Sequence, residues 1–275
     1  MYRYLWRNAA LGMLLALCCV ACTLIQESAL FEPSPVALDN PTPTPTSTLT
    51  PASDGWRTLQ EGLAARTFTP FNNLLGQVIA LRIDPTRFMF KAHYRPAQPL
   101  LLDAWRESLD APTVITNANF FDGSGYALGL VVSDGEFYGQ SYVGRGGMFA
   151  VQNDFPRVRS LIAEPYGGEW LEQAVQGFPM LVLNGEAVYS TTGRDNASRR
   201  TVIGQDSQGR IVIVVTPLLG LSLTDISRFL ADEPALDLVT ALNLDGGGSS
   251  LLYAPEGLRI DSFDAVPVVL AVYPR

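Results

Sequence analysis

The sequence predicts an α+β fold, a single domain in which a large mixed or antiparallel sheet carries a few flanking helices. Three observations predict it. Strand-like apolar runs recur through the last two hundred or so residues, hydrophobic residues make up 47% of the chain, and helical periodicity is sparse. Asp134-Gly135, Asn184-Gly185 and Asp206-Ser207-Gln208-Gly209 each sit between two apolar runs and read as hairpin turns. At 275 residues, the chain has room for one large domain or two small ones.

The first segment, residues 1–22, reads as a lipoprotein-type signal peptide. Arg3 and Arg7 supply its positive end, an uncharged apolar run follows, and Cys19-Val20-Ala21-Cys22 closes it. Cys22 is the expected lipidation site, which places the remainder outside the cytoplasm on a membrane anchor; secretion after ordinary cleavage is the alternative. Residues 23–55 form a Pro/Thr-rich linker, as in Pro41-Thr42-Pro43-Thr44-Pro45-Thr46, which is too polar and too proline-rich to pack a core. Residues 56–275 form the folded domain.

Within that domain, Gln77–Ile83 and Phe88–His93 read as strands around the Asp84-Pro85-Thr86 turn. Leu100–Leu109 suits a short amphipathic helix, and Val114–Asn119 a buried strand. Leu128–Ser133 and Glu136–Tyr138, Met180–Leu183 and Ala187–Tyr189, and Thr201–Gln205 and Arg210–Thr216 are the three hairpins. Ser222-Leu223-Thr224-Asp225 reads as a capping box that starts a helix, with Leu223, Ile226 and Leu230 on one face. Strand-like runs at Leu236–Leu244, Ser249–Tyr253 and Val266–Val272 complete the chain.

Composition removes several chemistries. The net charge is −8, Lys91 is the one lysine, and no basic block occurs, so nucleic acid is not an expected partner. A single histidine, His93, cannot build a two- or three-histidine zinc site, and its place at a strand end suits a surface or edge-strand residue. All three cysteines fall in residues 18–22, so the folded domain has no disulfide and no thiol nucleophile. Carboxylates, hydroxyls, amides and arginines must carry any reaction.

Those groups gather in four motifs. Asn117-Ala118-Asn119-Phe120-Phe121-Asp122-Gly123 ends a buried strand with amides and a carboxylate, though Asn119 and Asp122 equally suit a turn cap. Val175-Gln176-Gly177-Phe178-Pro179-Met180 has a glycine and a proline suited to a pocket wall or a plain turn. Ser198-Arg199-Arg200-Thr201-Val202-Ile203-Gly204 offers guanidinium forks that match phosphate oxygens, or a solvated charge pair. Asn243-Leu244-Asp245-Gly246-Gly247-Gly248-Ser249-Ser250 places a carboxylate and hydroxyls around three residues without a β-carbon, so its backbone can approach a ligand closely.

As a set and in this order, the motifs resemble the phosphodiester glycosidase family, over roughly Gln77 to Tyr273. Asn119, Phe121 and Asp122 match the family's first motif, and Gly177 and Pro179 its second. Arg200, Thr201 and Gly204 match the third, and Asp245 through Ser249 the last. The chain lacks the disulfides and extra modules of the family's animal members. It also has Arg199 where proline is frequent, which leaves open which arginine meets an anion. The resemblance implies hydrolysis of a sugar 1-phosphodiester at the anomeric C–O bond, in envelope or extracellular glycan.

On that basis Asp245 is the leading catalytic carboxylate and Asp122 the second. Arg200 with the Gly246, Gly247 and Gly248 amides would hold phosphate, and Asn119, Thr201 and Ser249 would orient the substrate. No cofactor is expected, although Asp122 and Asp245 leave room for a divalent cation in a metal-assisted cleavage of the P–O bond. A non-catalytic envelope lipoprotein that binds anionic polysaccharide is the other alternative.

Overall fold

The structure, a computed structural model, describes residues 55–275. The signal segment with Cys22, and residues 23–54 of the linker, lie outside the described residues. The first strands are β1 (Arg57–Gln60), β2 (Leu63–Phe68), β3 (Val78–Ile83) and β4 (Phe88–Tyr94), followed by helix α1 (Leu102–Ser108) and β5 (Val114–Asn117). Next come β6 (Val131–Ser133), β7 (Glu136–Tyr138), β8 (Gly147–Gln152), β9 (Phe155–Ser160), β10 (Gln173–Gly177), β11 (Met180–Leu183) and β12 (Glu186–Ala187). The chain closes with β13 (Thr201–Asp206), β14 (Ile211–Val215), α2 (Leu223–Asp232), β15 (Leu238–Asn243), β16 (Leu252–Tyr253), β17 (Arg259–Ile260) and β18 (Val268–Pro274).

The expected single large sheet is three sheets. Eight strands run β1-β2-β3-β14-β13-β15-β11-β12, five run β17-β16-β5-β18-β4, and five run β7-β6-β10-β8-β9. Every pairing among the named strands is antiparallel. One face of each sheet meets the others in a shared core, represented by Ile213 and Leu242, by Phe90 and Leu270, and by Phe149 and Val175.

The outer faces are covered separately. Helix α2 sets Ile226, Phe229 and Leu230 against Val182, Val202 and Val214 of the large sheet, while α1 sets Leu102 and Trp105 against Ile115 and Val269. Strand β14, Ile-Val-Ile-Val-Val, is therefore buried on both faces, with Ile211, Ile213 and Val215 toward the central core and Val212 and Val214 toward α2.

Local chemistry explains the turns. Asp134 and Gly135 take φ of 47° and 80°, and Asn184 and Gly185 take 52° and 80°, the left-handed pairs that two-residue hairpins require. Ser222 caps α2 by accepting the Asp225 N–H at 3.1 Å, and its hydroxyl donates to the Asp225 carboxylate at 2.8 Å. Two expectations change at the strand ends. Val114–Asn119 stops at Asn117, because Asn117 turns its amide to the glycine loop instead of continuing the alternation. The strand expected from Ser249 begins at Leu252, because Gly247–Ser249 closes into a tight 3-10 turn.

A candidate active site at the glycine loop

The loop after β15 is fastened to the two sheets that meet there. The Asp245 N–H donates to the Ala118 carbonyl at 2.9 Å, and Asn117 Nδ2 donates to the Asp245 carbonyl at 2.7 Å, both after or at the end of β5. The Gly247 N–H donates to the Arg199 carbonyl at 2.9 Å, just before β13. A β-carbon on Gly246 would stand 2.8 Å from that same carbonyl, so the close lie of the loop on the Arg199–Arg200 backbone requires glycine. Asn117 joins the elements: its Oδ1 accepts from the Thr201 hydroxyl at 2.8 Å and from the Leu251 N–H at 3.0 Å.

This framework presents one unusual carboxylate. Burial pushes Asp245 up to about 6, with the Asp264 carboxylate adding repulsion, against the Ser249 hydroxyl and the Gly246 N–H, which hold it down. The Gly246 N–H donates at 2.9 Å. Asp264 lies against Gly248, where a β-carbon would collide with its carboxylate. Tyr142 completes this side of the site. Burial raises its hydroxyl to about 12, with Arg145 lowering and Asp245 raising it, so both charges are near the ring. Phe178 stacks on Phe120 at 4.5 Å between centroids and meets Tyr142 edge-on at 5.6 Å. The Arg145 guanidinium covers both Tyr142 and Phe178, at 4.8 and 5.1 Å, and forms no ion pair among the described residues.

The two arginines before β13 separate by environment. Arg199 is buried; its Nη2 donates to the carbonyls of Ser250 at 2.6 Å and Asp261 at 2.8 Å, and its guanidinium lies 4.6 Å over Phe263. It clamps the glycine loop to the segment before β18. Arg200 is half-buried and donates from Nη2 to the Asn196 carbonyl at 2.8 Å; the Nε atoms of both arginines are buried without a partner among the described residues. Burial lowers its pKa, against Asp195 and Tyr189, which favour the charge.

The other motif residues have structural partners. Asn119 is buried, donates to the Leu128 and Leu130 carbonyls at 3.1 and 3.2 Å and accepts the Gln176 N–H at 3.1 Å, so its amide braces the 117–130 segment against β10. Thr201 is fully buried on Asn117. Asp122 is exposed and accepts the Ser124 and Tyr126 N–H groups at 2.9 and 3.0 Å, which closes its own turn. The Gly246 and Gly247 amides, expected to face phosphate, are turned to Asp245 and Arg199 as described. His93 sits on the edge strand β4, its Nε2 3.0 Å from the Tyr273 hydroxyl.

The sequence motifs therefore bring Asp245 and Ser249 together and lay the loop on the Arg200 backbone, while the Arg200 side chain runs toward Asn196, Asp195 and Tyr189. They missed Asp264, Tyr142 and Arg145, which lie outside every motif. The residues before β18, Asp261-Ser262-Phe263-Asp264, carried the one available signal, two carboxylates in a polar connection. Among the described residues, no three histidine, cysteine or carboxylate side chains gather in a metal-binding group.

Comparison with known proteins places this arrangement. The pattern of the phosphodiester glycosidase family matches residues 111–273. An N-acetylglucosamine-1-phosphodiester alpha-N-acetylglucosaminidase of Mus musculus is 29% identical over 161 residues, 50% of this chain and 31% of that protein. Its Homo sapiens counterpart is 29% identical over 164 residues, with the same coverage. The match thus spans about a third of these relatives' length. The catalytic domain of the zebrafish protein of that name, auto-inhibited by its pro-peptide, shares the fold with a TM-score of 0.62 at 20% identity, covering 78% of this chain and 84% of that one. A hypothetical protein from Synechocystis shares it with a TM-score of 0.58 at 17% identity, over 78% and 63% of the two chains.

Proposed function

From the premise that this chain belongs to the phosphodiester glycosidase family, we propose that it hydrolyses a sugar 1-phosphodiester by breaking the bond between the anomeric carbon and oxygen. The N-acetylglucosamine 1-phosphodiester named for its relatives is the first substrate to offer it. The observation that carries the proposal is the Asp245 carboxylate, held near 6 by burial within a glycine loop that lies on the Arg199–Arg200 backbone.

Such a carboxylate is ionised at neutral pH yet is a stronger base than an ordinary aspartate. It takes a proton from water as the water oxygen bonds to the anomeric carbon. The C–O bond breaks, its electron pair stays on the phosphate oxygen, and the products are a free sugar and a phosphate monoester. A phosphate monoester leaves readily, so the step needs little acid assistance, in keeping with the absence of any histidine from the site. Arg200, half-buried just before β13, takes the anion, and Ser249 orients Asp245. Asp264 supplies a second carboxylate beside the first and replaces Asp122 in that role. With the signal reading of residues 1–22, the substrate belongs to envelope or extracellular glycan.

Hydrolysis in oxygen-18 water tests the reading. Label in the sugar supports C–O cleavage by this site. Label in the phosphate replaces it with attack at phosphorus, the metal-assisted alternative, and no turnover by a folded protein leaves the anionic-polysaccharide binder.

A further inference from the structure

Beside the Phe178–Tyr142 ring pair lies a cavity of about 400 Å³, within the range of small-molecule sites. Its wall is mainly apolar: Ile162, Ala163, Pro179, Met180, Leu183 and Val188 line it, and Phe178 and Arg145 stand at its edge toward the site. Phe178 is the same ring that meets Tyr142, whose hydroxyl feels both Asp245 and Arg145. Asn243 Nδ2 donates to the Phe178 carbonyl at 2.8 Å, which fixes the cavity to the end of β15 two residues before Asp245.

We propose that this cavity is the leaving-group subsite and that it takes an apolar alcohol, such as an alkyl chain, esterified to the phosphate. The inference rests on the phosphodiester hydrolysis proposed above. Two features favour this occupant. Arg145 is an arginine without an ion pair among the described residues, set where the apolar wall meets the ring pair beside Asp245, so an anionic head and an apolar tail find complementary surfaces in sequence. A hydroxyl-rich leaving group such as a second sugar would bury its polar groups against side chains that offer few partners. Besides Arg145, the polar side chains of the lining are Ser160, which already accepts the Ile162 and Ala163 N–H groups at 3.3 and 3.4 Å, and Tyr189, which offers a single hydroxyl. Ile162 and Val188, 64% and 46% exposed, leave apolar surface for the chain to cover.

The products of the reaction are then a free sugar and an alkyl phosphate, and the alkyl phosphate is the probe. Calorimetric titration of the protein with methyl phosphate and octyl phosphate should show octyl phosphate binding at least about tenfold more tightly, since burial of two methylenes suffices for that ratio. Ile162→Asp should bring the ratio close to one, and Arg145→Met should weaken both ligands. Octyl phosphate binding no more tightly than methyl phosphate, or a ratio untouched by Ile162→Asp, overturns the subsite. The binding measurement separates this failure from that of the parent reading. If methyl and octyl esters of N-acetylglucosamine 1-phosphate are both hydrolysed at equal kcat/KM, the hydrolase stands and the apolar subsite falls. If neither is hydrolysed although octyl phosphate binds preferentially, the cavity is an alkyl-phosphate site, and the hydrolase falls together with the leaving-group role.

Discussion

Asp245→Asn should make the protein more stable as pH rises, relative to the parent, while removing turnover. The sign follows from proton binding. An unfolded aspartate titrates near 3.8, and the folded Asp245 near 6. Between those values the folded state holds more protons than the unfolded state, so this carboxylate lowers stability as pH climbs from about 4 to about 6, and the loss is complete above that. A gap of about two pH units corresponds to about 3 kcal/mol. Asparagine has no proton to lose, so the variant escapes the loss. It also alters the bonds to the Ser249 hydroxyl and Gly246 N–H, but that change is the same at every pH. Urea unfolding of both proteins from pH 4 to pH 8 isolates the titrating part. The difference in unfolding free energy should shift toward the variant by about 3 kcal/mol across this range, nearly all of it below pH 7. A difference that stays constant with pH refutes the argument, because Asp245 would then titrate as an ordinary carboxylate and have no special basicity to bring to catalysis.

Four further outcomes are expected. The kcat/KM for the phosphodiester should rise with pH through about 6 as Asp245 ionises, and a profile that falls through that value assigns Asp245 the role of an acid instead. Arg200→Met should lower kcat/KM by about 10–100-fold, the worth of a charge-assisted hydrogen bond, with little change in melting temperature; steady-state kinetics beside thermal unfolding checks both. Arg199→Met should instead destabilise the fold by about 1–3 kcal/mol in urea titrations, because it strands the buried Ser250 carbonyl and frees the partly buried Asp261 carbonyl. Gly177→Ala should unfold or strongly destabilise the domain, since its β-carbon would collide with the Asn243 carbonyl, and circular dichroism with thermal melting reports it.

The parts of the fold legible in the sequence are those decided locally. Asn184-Gly185 and Asp134-Gly135 announce their hairpins because glycine and its partner carry the positive φ. Ser222 announces α2 because the cap and the capped N–H are three residues apart. Strands β8 and β9 escaped notice for a local reason too. Their turn, Asn153-Asp154, takes φ of 51° and 66° without any glycine, and Pro156 weakens the strand signal but is tolerated because β9 is a sheet edge. The division into three sheets had no such signal, since it depends on which faces meet across the core and not on any short stretch of chain.

The same distinction explains the site. The motifs named Asp245, but most of their other residues hold the loop in place instead of facing its open side. Asn119 braces β10, Thr201 bonds Asn117, and Asp122 closes its own turn. A motif records whatever local geometry demands particular residues, and a loop pinned between two sheets demands many. The charged groups that face the opening are under no such demand from the turn itself. Arg145 and Asp264 reach Asp245's surroundings from segments about a hundred residues before it and about twenty after it, and each is held by few bonds. Arginine at position 199 follows the same logic in reverse. A charge beside Arg200 suggested a second anion ligand, yet alternation along the chain sends the two side chains to different surroundings, Arg199 onto the carbonyls that fix the loop and Arg200 toward Asn196 and Tyr189. The loop's rigidity and its reactivity thus come from neighbouring residues, and replacing Arg199 should cost stability where replacing Arg200 costs catalysis.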